Sequence, residues 1–404
     1  MSQMIRRDDN KYFKMKNLLA TVVMLAILCS CKQSVNKEMI AKAALLKVME
    51  ECSSKALSVA VVKNGEIIYA EAFGKRDVDA GENISKDDLF RIASISKSFT
   101  TTALMTLVDA GKLTLDTDVS DILGFKVRNP KFPDVVITVK KLLSHTSSLN
   151  DSQGYFSLDT INPQTNTNYA LCYRDYEPGT KYEYCNLGFN MIGAIVEKVA
   201  GERFDNFVRR VVLQPLGLEA GFNVDSLDAA KFVTIYEFEE DTLTGEMGFY
   251  ARPAAYVSRG KEITGGYVLG YSTPIFSPTG GMKISAQGLA RYMSMHMNYG
   301  KDPITGTRII SEENAKLMQT PVIEDNPNNH YALALKRTKN LIYGQELVGH
   351  TGSAYGLYSA MFFDPVRGYG IVMMTSSTYP EYIDGYVRVQ RNTINALYDI
   401  FIAE

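Results

Sequence analysis

Phe90-Arg91-Ile92-Ala93-Ser94-Ile95-Ser96-Lys97-Ser98-Phe99-Thr100 is the stretch from which the rest of the chain is read. An apolar run reaches a serine, and a lysine follows three residues later. Positions i and i+3 share one helix face, so the spacing predicts the Lys97 amine within reach of the Ser94 hydroxyl. Ala103, Leu104, Leu107 and Val108 then form an apolar stripe and Gly111 a stop, predicting an amphipathic helix to about Ala110. A serine at such a helix start sits among unpaired N–H groups at the positive end of the dipole, where developing negative charge is favoured. A buried amine loses its proton readily and can serve as a base. The plain alternative, a Ser N-cap beside a solvated Lys, fits this segment equally well. S-x-x-K spacing also occurs at Ser34/Lys37 and Ser258/Lys261, but only Ser94 opens a well-formed helical pattern.

Working outward, residues 32–56 carry Ile40, Ala44, Leu45, Val48 and Cys52 on one helical stripe. Alternation from Leu57 to Lys63 and from Glu66 to Phe73 flanks Asn64-Gly65, the preferred type I′ turn pair, and predicts a hairpin. Thr138 is placed to cap a short helix over Val139 to Leu143. The polar run 144–176 reads as a long loop or rim, Leu187 to Ala200 as a helix closed by Gly201, and Phe204 to Val212 as another. Residues 222–276 are the least patterned and read as an elaborated lid over a cleft. Ser285 to Tyr299 is helical, 331–375 returns to strands around a turn at Asp364-Pro365, and 380–403 closes the chain as a helix. The expected fold is therefore α/β: an antiparallel sheet built from both chain ends, flanked by terminal helices, with a mostly helical second lobe at about 112–280.

Two further segments carry chemistry. Tyr184-Cys185-Asn186 is the only Y-x-N among 24 tyrosines, and it precedes the helix from Leu187. A tyrosine hydroxyl near a cationic Lys can have a lowered pKa and shuttle a proton. Asn186 offers an amide donor and acceptor, suited to a substrate amide or to holding Lys97. A buried Tyr with an Asn helix cap is the plainer reading. In Val348-Gly349-His350-Thr351-Gly352-Ser353, Gly352 permits close approach of another backbone or a ligand. The Ser353 N–H is a candidate to join that of Ser94 as an oxyanion hole, and His350 to donate to a substrate carboxylate or to Tyr184.

The chain has 404 residues, 46% hydrophobic and 22% charged, and a formal net charge of -2. Near-neutral charge argues against nucleic acid as a partner. The four His show no H-x-x-x-H spacing and the Cys no C-x-x-C, so no metal is implied. Lys14 and Lys16 precede an apolar run from Leu18 to Leu28, too short to span a bilayer but suited to a signal-peptide core. The run ends in Leu28-Cys29-Ser30-Cys31, which resembles a bacterial lipobox with Cys31 as the lipidated residue. Residues 1–30 are thus expected to be a lipoprotein signal peptide, with Met15 a candidate start. The expected mature domain is 31–404, anchored by lipid in the bacterial cell envelope and facing the periplasm or the exterior. A Cys172–Cys185 bridge is compatible with that compartment and not demanded.

Taken together, Ser94-x-x-Lys97, Tyr184-x-Asn186 and His350-Thr351-Gly352 resemble the class C β-lactamase-like and penicillin-binding-protein-like serine hydrolases. Leu142-Leu143-Ser144-His145-Thr146-Ser147 and Ser277-Pro278-Thr279-Gly280-Gly281-Met282 look like further landmarks, and the resemblance runs from about residue 45 to 400. It implies an active site between a sheet domain and a helical lobe. It implies an acyl-enzyme route without metal or cofactor, in which Ser94 attacks a carbonyl while Lys97 and Tyr184 move protons. The substrate would be a small molecule or peptide, such as one derived from peptidoglycan: a D-amino-acid peptide, an ester or a β-lactam. Three departures stand out. His350 occupies the place of the Lys of class C β-lactamases, which favours peptidase or esterase activity over efficient β-lactam hydrolysis. Cys185 replaces the usual Ser within Y-x-N, and Ser147-Ser148-Leu149 replaces Ser-Gly-Leu. A weak or true β-lactamase and a non-catalytic, peptidoglycan-peptide-binding lipoprotein are the alternatives.

Overall fold

The computed structural model describes residues 36–323 and 329–403, and the expected signal segment with Cys31 lies outside them. A helix over 36–51 (α1) leads into strands β1 (Ala56–Lys63) and β2 (Glu66–Asp77). Asn64 and Gly65 between them have φ of 53° and 84°, the two positive values a type I′ turn requires. Short strands β3 (Glu82–Asn83) and β4 (Phe90–Arg91) follow, then a single 3-10 turn over Ala93–Ile95 and helix α2 (Ser96–Asp109).

The middle of the chain is mostly helical and irregular. It holds α3 (Val119–Leu123), α4 (Val139–Leu143), α5 (Asn186–Ala200) and α6 (Phe204–Val208), the last running into a wide π turn at Arg209–Leu213. Thr138 does cap α4, its hydroxyl accepting from Lys141 N at 3.3 Å. Next come β5 (Ala220–Gly221), a hairpin of β6 (Tyr236–Glu240) and β7 (Met247–Ala251), α7 (Gly260–Thr264), β8 (Lys283–Ile284), α8 (Ala286–Met297) and α9 (Glu312–Leu317). Strands β9 (Asn329–Tyr331), β10 (Lys336–Thr338), β11 (Leu347–Ala354), β12 (Leu357–Asp364) and β13 (Tyr369–Thr375) return the chain to the sheet. The expected helix over 380–403 starts later: residues 382–387 form a small hairpin, and helix α10 occupies Arg388–Phe401. Asp384 and Gly385 take φ of 50° and 82° there, a turn that no helix admits.

The main sheet is antiparallel, in the order β3-β2-β1-β13-β12-β11-β10-β9. Its centre joins the two ends of the chain: β1 pairs with β13 from Leu57↔Thr375 to Lys63↔Tyr369. Alternation along β1 serves two cores at once. Leu57, Val59 and Val61 face α1 and α10, meeting Leu45, Leu397 and Phe401. Ala56, Ala60 and Val62 face α8 and the helical middle, meeting Met293 and Leu104. This is the expected mixed α/β architecture, with terminal helices over one face.

Helix α2 departs from the expected amphipathic form. It is buried nearly all round, Ser96, Ser98, Thr100, Thr101 and Thr102 included. Some of its hydroxyls bond back within the helix, Thr101 Oγ1 donating to Lys97 O at 2.9 Å and Thr102 Oγ1 to Ser98 O at 2.9 Å, while Thr100 Oγ1 donates to Pro278 O at 2.7 Å and Ser96 Oγ accepts from Met282 N at 3.0 Å. Such back-bonding lets a polar helix enter a core without orphaned groups. The 3-10 turn before it is held by the sheet. Ser359 Oγ on β12 donates to Ile92 O at 2.9 Å, and Gly352 on β11 lies against the same carbonyl.

A methyl group at Gly352 would sit 2.2 Å from Ile92 O and 2.3 Å from Ser359 Oγ. Gly352→Ala is therefore expected to cost about 1–3 kcal/mol by overpacking, read as a lower urea midpoint at unchanged slope. An unaltered midpoint would show that the strand does not need this close approach.

Candidate active site

Ser94 sits in the 3-10 turn, at the floor of a cavity of about 600 Å³. Tyr184, Asn186, His350, Thr351 and Ser353 line the same cavity. Three stretches far apart in the chain thus converge. Lys97 lies behind the wall, the second residue of α2 and fully buried. Gly352 also lies outside the lining, spent on the contact with Ile92.

The Lys97 amine makes three hydrogen bonds to three segments. It donates to Ser94 Oγ at 3.1 Å, to Asn186 Oδ1 at 2.9 Å and to Thr279 O at 3.0 Å. Those contacts use all three protons of the charged form. Burial nevertheless penalises the charge and brings the Lys97 pKa down to about 7, with Asp151 partly opposing the shift. The Tyr184 and Phe189 rings lie 4.7 and 5.5 Å from the amine, excluding water from it.

Tyr184 differs from expectation. A lowered pKa was expected beside Lys97, but burial of the phenol pushes it up, Ser94 only partly offsetting this. Its hydroxyl is buried and has no hydrogen-bond partner among the described residues. Burial away from water penalises a phenolate and leaves the neutral phenol favoured. Tyr184 is therefore a proton-bearing group at rest, with an unspent hydrogen-bonding hydroxyl beside the nucleophile.

His350 differs too. Its Nδ1 lies 2.5 Å from Thr351 O, which can only accept, so Nδ1 carries the proton. Nε2 then accepts from the Tyr331 hydroxyl at 3.1 Å. Burial, with Lys97 nearby, brings the His350 pKa down to about 3, so the ring is neutral. Both nitrogens are engaged inside the protein, and neither donates to Tyr184, whose ring centroid is 6.3 Å away.

Several residues that complete the site were not singled out from the sequence. Asp151 binds the start of α5: its carboxylate accepts from Asn186 N and Nδ2 at 2.9 and 2.8 Å, from Leu187 N at 2.9 Å and from Cys185 Sγ at 3.3 Å. This fixes the Asn186 amide, whose oxygen must then face Lys97 and the Thr279 hydroxyl, the latter at 2.7 Å. His145 Nδ1 accepts from Cys185 N at 3.1 Å, and its ring packs on Tyr184 at 4.3 Å. His145 and Thr279 fall inside the landmark segments quoted above. Asp151 had no signal beyond a polar loop. Cys172 and Cys185 are both buried and free, so no bridge joins them.

Asp151→Ala would strand the buried Asn186 and Leu187 donors and release the Asn186 amide. Each orphaned donor costs about 1–3 kcal/mol, so a Tm drop of several degrees is expected, with a larger fall in any Ser94-dependent rate. A variant with unchanged Tm and rate would remove Asp151 from this positioning role.

Comparison with known proteins agrees with this geometry. The Beta-lactamase family model matches residues 42–391. Penicillin-binding protein 4 of Amycolatopsis lactamdurans is 31% identical over 271 residues, 66% of this chain, and the match spans 65% of that relative's length. The octameric penicillin-binding protein homologue from Pyrococcus abyssi superposes with a TM-score of 0.66 at 25% identity, covering 89% of this chain and 77% of the other. D-amino acid amidase from Ochrobactrum anthropi SV3 superposes with a TM-score of 0.69 at 19% identity, covering 90% and 98%, a likeness of fold. With a family model spanning most of its length, and a buried lysine bound to a serine on the wall of a cavity that a tyrosine shares, this chain belongs to the Beta-lactamase family.

Proposed function

We propose that the protein is a serine hydrolase that cleaves an amide or ester through an acyl-enzyme on Ser94. The observation that carries this reading is a fully buried lysine, its pKa near 7, with its nitrogen 3.1 Å from the serine oxygen. A neutral Lys97 takes the Ser94 proton as Oγ attacks the carbonyl carbon. The N–H groups of Ser94 and Ser353 serve the oxyanion. The tetrahedral adduct collapses as the leaving nitrogen or oxygen takes a proton from Tyr184, which is replenished from Lys97. Water then enters, gives a proton back through the same groups, and releases the acid and Ser94.

The engaged, neutral His350 gives a β-lactam carboxylate no cation at that position. Small amides and esters, such as those of D-amino acids, are the favoured class, consistent with the fold shared with a D-amino acid amidase. The setting is the cell envelope, with the domain tethered through lipidated Cys31 and acting on peptidoglycan-derived or other small acyl compounds.

A fluorophosphonate or reporter penicillin should label Ser94 in the wild type and not in Ser94→Ala; absence of label with both probes would sink the acyl-enzyme reading. In a panel of nitrocefin, a D-Ala-D-Ala peptide, a D-aminoacyl anilide and a p-nitrophenyl ester, turnover should favour the anilide or ester over nitrocefin. Binding of the peptide without turnover of any member would instead favour a non-catalytic role. Because the base works only when neutral, kcat/KM should rise with pH and level off above about 7, dropping about tenfold per unit below it. Lys97→Ala should lower kcat/KM by about 10²–10⁴ and abolish that limb. A flat profile between pH 5 and 9 would exclude Lys97 as the base.

A further inference from the structure

Arg91 and Lys283 stand directly opposite each other in the register of β4 and β8. Like charges facing across an antiparallel pair are destabilising, the more so away from water. Lys283 is only 6% exposed, and its amine donates to Phe222 O at 2.9 Å. Arg91 Nε donates to Gly280 O at 2.8 Å, and the guanidinium lies 5.2 Å from the Tyr355 ring centroid. Among the described residues neither cation has a carboxylate partner. The acids on nearby elements are committed elsewhere: Glu262 pairs with Arg259 at 2.9 Å, and Asp225 Oδ2 accepts from Arg259 N at 3.1 Å.

The two cations border a second cavity of about 380 Å³. Arg259 is a third, and no acidic residue is in the lining. The remaining wall is largely apolar, with Phe222, Val257 and Phe276 among its members. This cavity shares Arg91, Phe156, Ser277 and Tyr355 with the one that holds Ser94, so it is an annex of the same cleft. Burial and the neighbouring Arg91 and Arg259 push the Lys283 amine well below its ordinary pKa, only partly opposed by Asp225. Cationic forms of Arg91, Lys283 and Arg259 thus repel one another here, and an anion would relieve that repulsion.

We propose that the annex is a specificity subsite for a carboxylate carried by the substrate, several bonds from the carbonyl that Ser94 attacks. A guanidinium and an ammonium side by side offer donors to both carboxylate oxygens, and the apolar wall takes the hydrocarbon stem. A single carboxylate on a short chain matches this mixture better than a fully hydrated polyanion. The inference rests on the reading of the Ser94 cavity as a substrate site, and it names the kind of substrate.

The test sets mono-p-nitrophenyl esters of glutaric, adipic and pimelic acids against the p-nitrophenyl esters of pentanoic, hexanoic and heptanoic acids. The wild type should favour the charged ester at least tenfold in kcat/KM at the best length. Lys283→Met, apolar and similar in length, should bring that ratio at least fivefold closer to parity. Equal use of charged and neutral esters by the wild type, or an unchanged ratio in the variant, overturns the proposal. A direct arm needs no turnover. Ser94→Ala protein is titrated calorimetrically with monomethyl adipate, methyl hexanoate and inorganic phosphate. Monomethyl adipate should bind at least tenfold tighter than methyl hexanoate. Binding of phosphate without monomethyl adipate, or of neither, overturns the carboxylate subsite. Should no ester be cleaved while monomethyl adipate binds, the hydrolytic reading fails and the annex stands.

Discussion

A single amine organises this protein's site. Lys97 Nζ is bound at once by the serine that precedes it on the same turn, by an asparagine at the start of α5 and by a carbonyl in the loop before β8. Each partner comes from a different part of the chain, so the amine registers three segments against one another. The cost is a buried ionisable group, and the surroundings are arranged around that cost. Asp151 satisfies the backbone and side chain of Asn186, so its oxygen rather than its NH₂ faces Lys97. The hydroxyls of α2 are spent on their own helix or on the loop before β8. The backbone absorbs strain as well: Ala93, Ser277 and Tyr355 on the cavity wall and His145 beside Tyr184 all have φ between 46° and 57°. Left-handed non-glycine residues cost energy and persist where the surroundings over-determine them.

Charge is distributed in the cleft in an unexpected way. Position 350 on β11 holds an imidazole whose nitrogens are both used, one by its own neighbour's carbonyl and one by Tyr331. Burial keeps that ring neutral. Positive charge enters the cleft elsewhere: Arg91 and Lys336 border the cavity that holds Ser94, and Lys283 stands opposite Arg91 across β4 and β8.

Much of the fold was legible in the sequence because its signals are local. Asn64-Gly65 specified the first hairpin, Thr138 its helix start, and Gly111 and Gly201 the ends of α2 and α5. The sheet followed from strand patterns at both ends of the chain. What stayed hidden depends on tertiary surroundings. The immersion of α2 could not be read because serine and threonine are polar by composition and become acceptable in a core only once their hydroxyls are bonded. The direction of the Tyr184 shift was misread because it is set by burial of the phenol, which only the assembled fold supplies. Asp151 lies in a loop with no periodicity, and its role exists only once α5 is brought beside it. Ser148, in the place usually held by glycine, does take φ of 61°, and its Oγ accepts from Asn129 Nδ2 at 3.0 Å, which ties down the strained position.

The β1–β13 pairing also sets a timetable for the molecule. A chain emerging amino end first holds one edge of β1 without its β13 partner until residue 375 has been made, although β2 is already at hand for the other edge. Contacts so distant in sequence close slowly, and an unmatched apolar edge invites intermolecular pairing meanwhile. The centre of the sheet is thus sealed last, when synthesis is nearly complete.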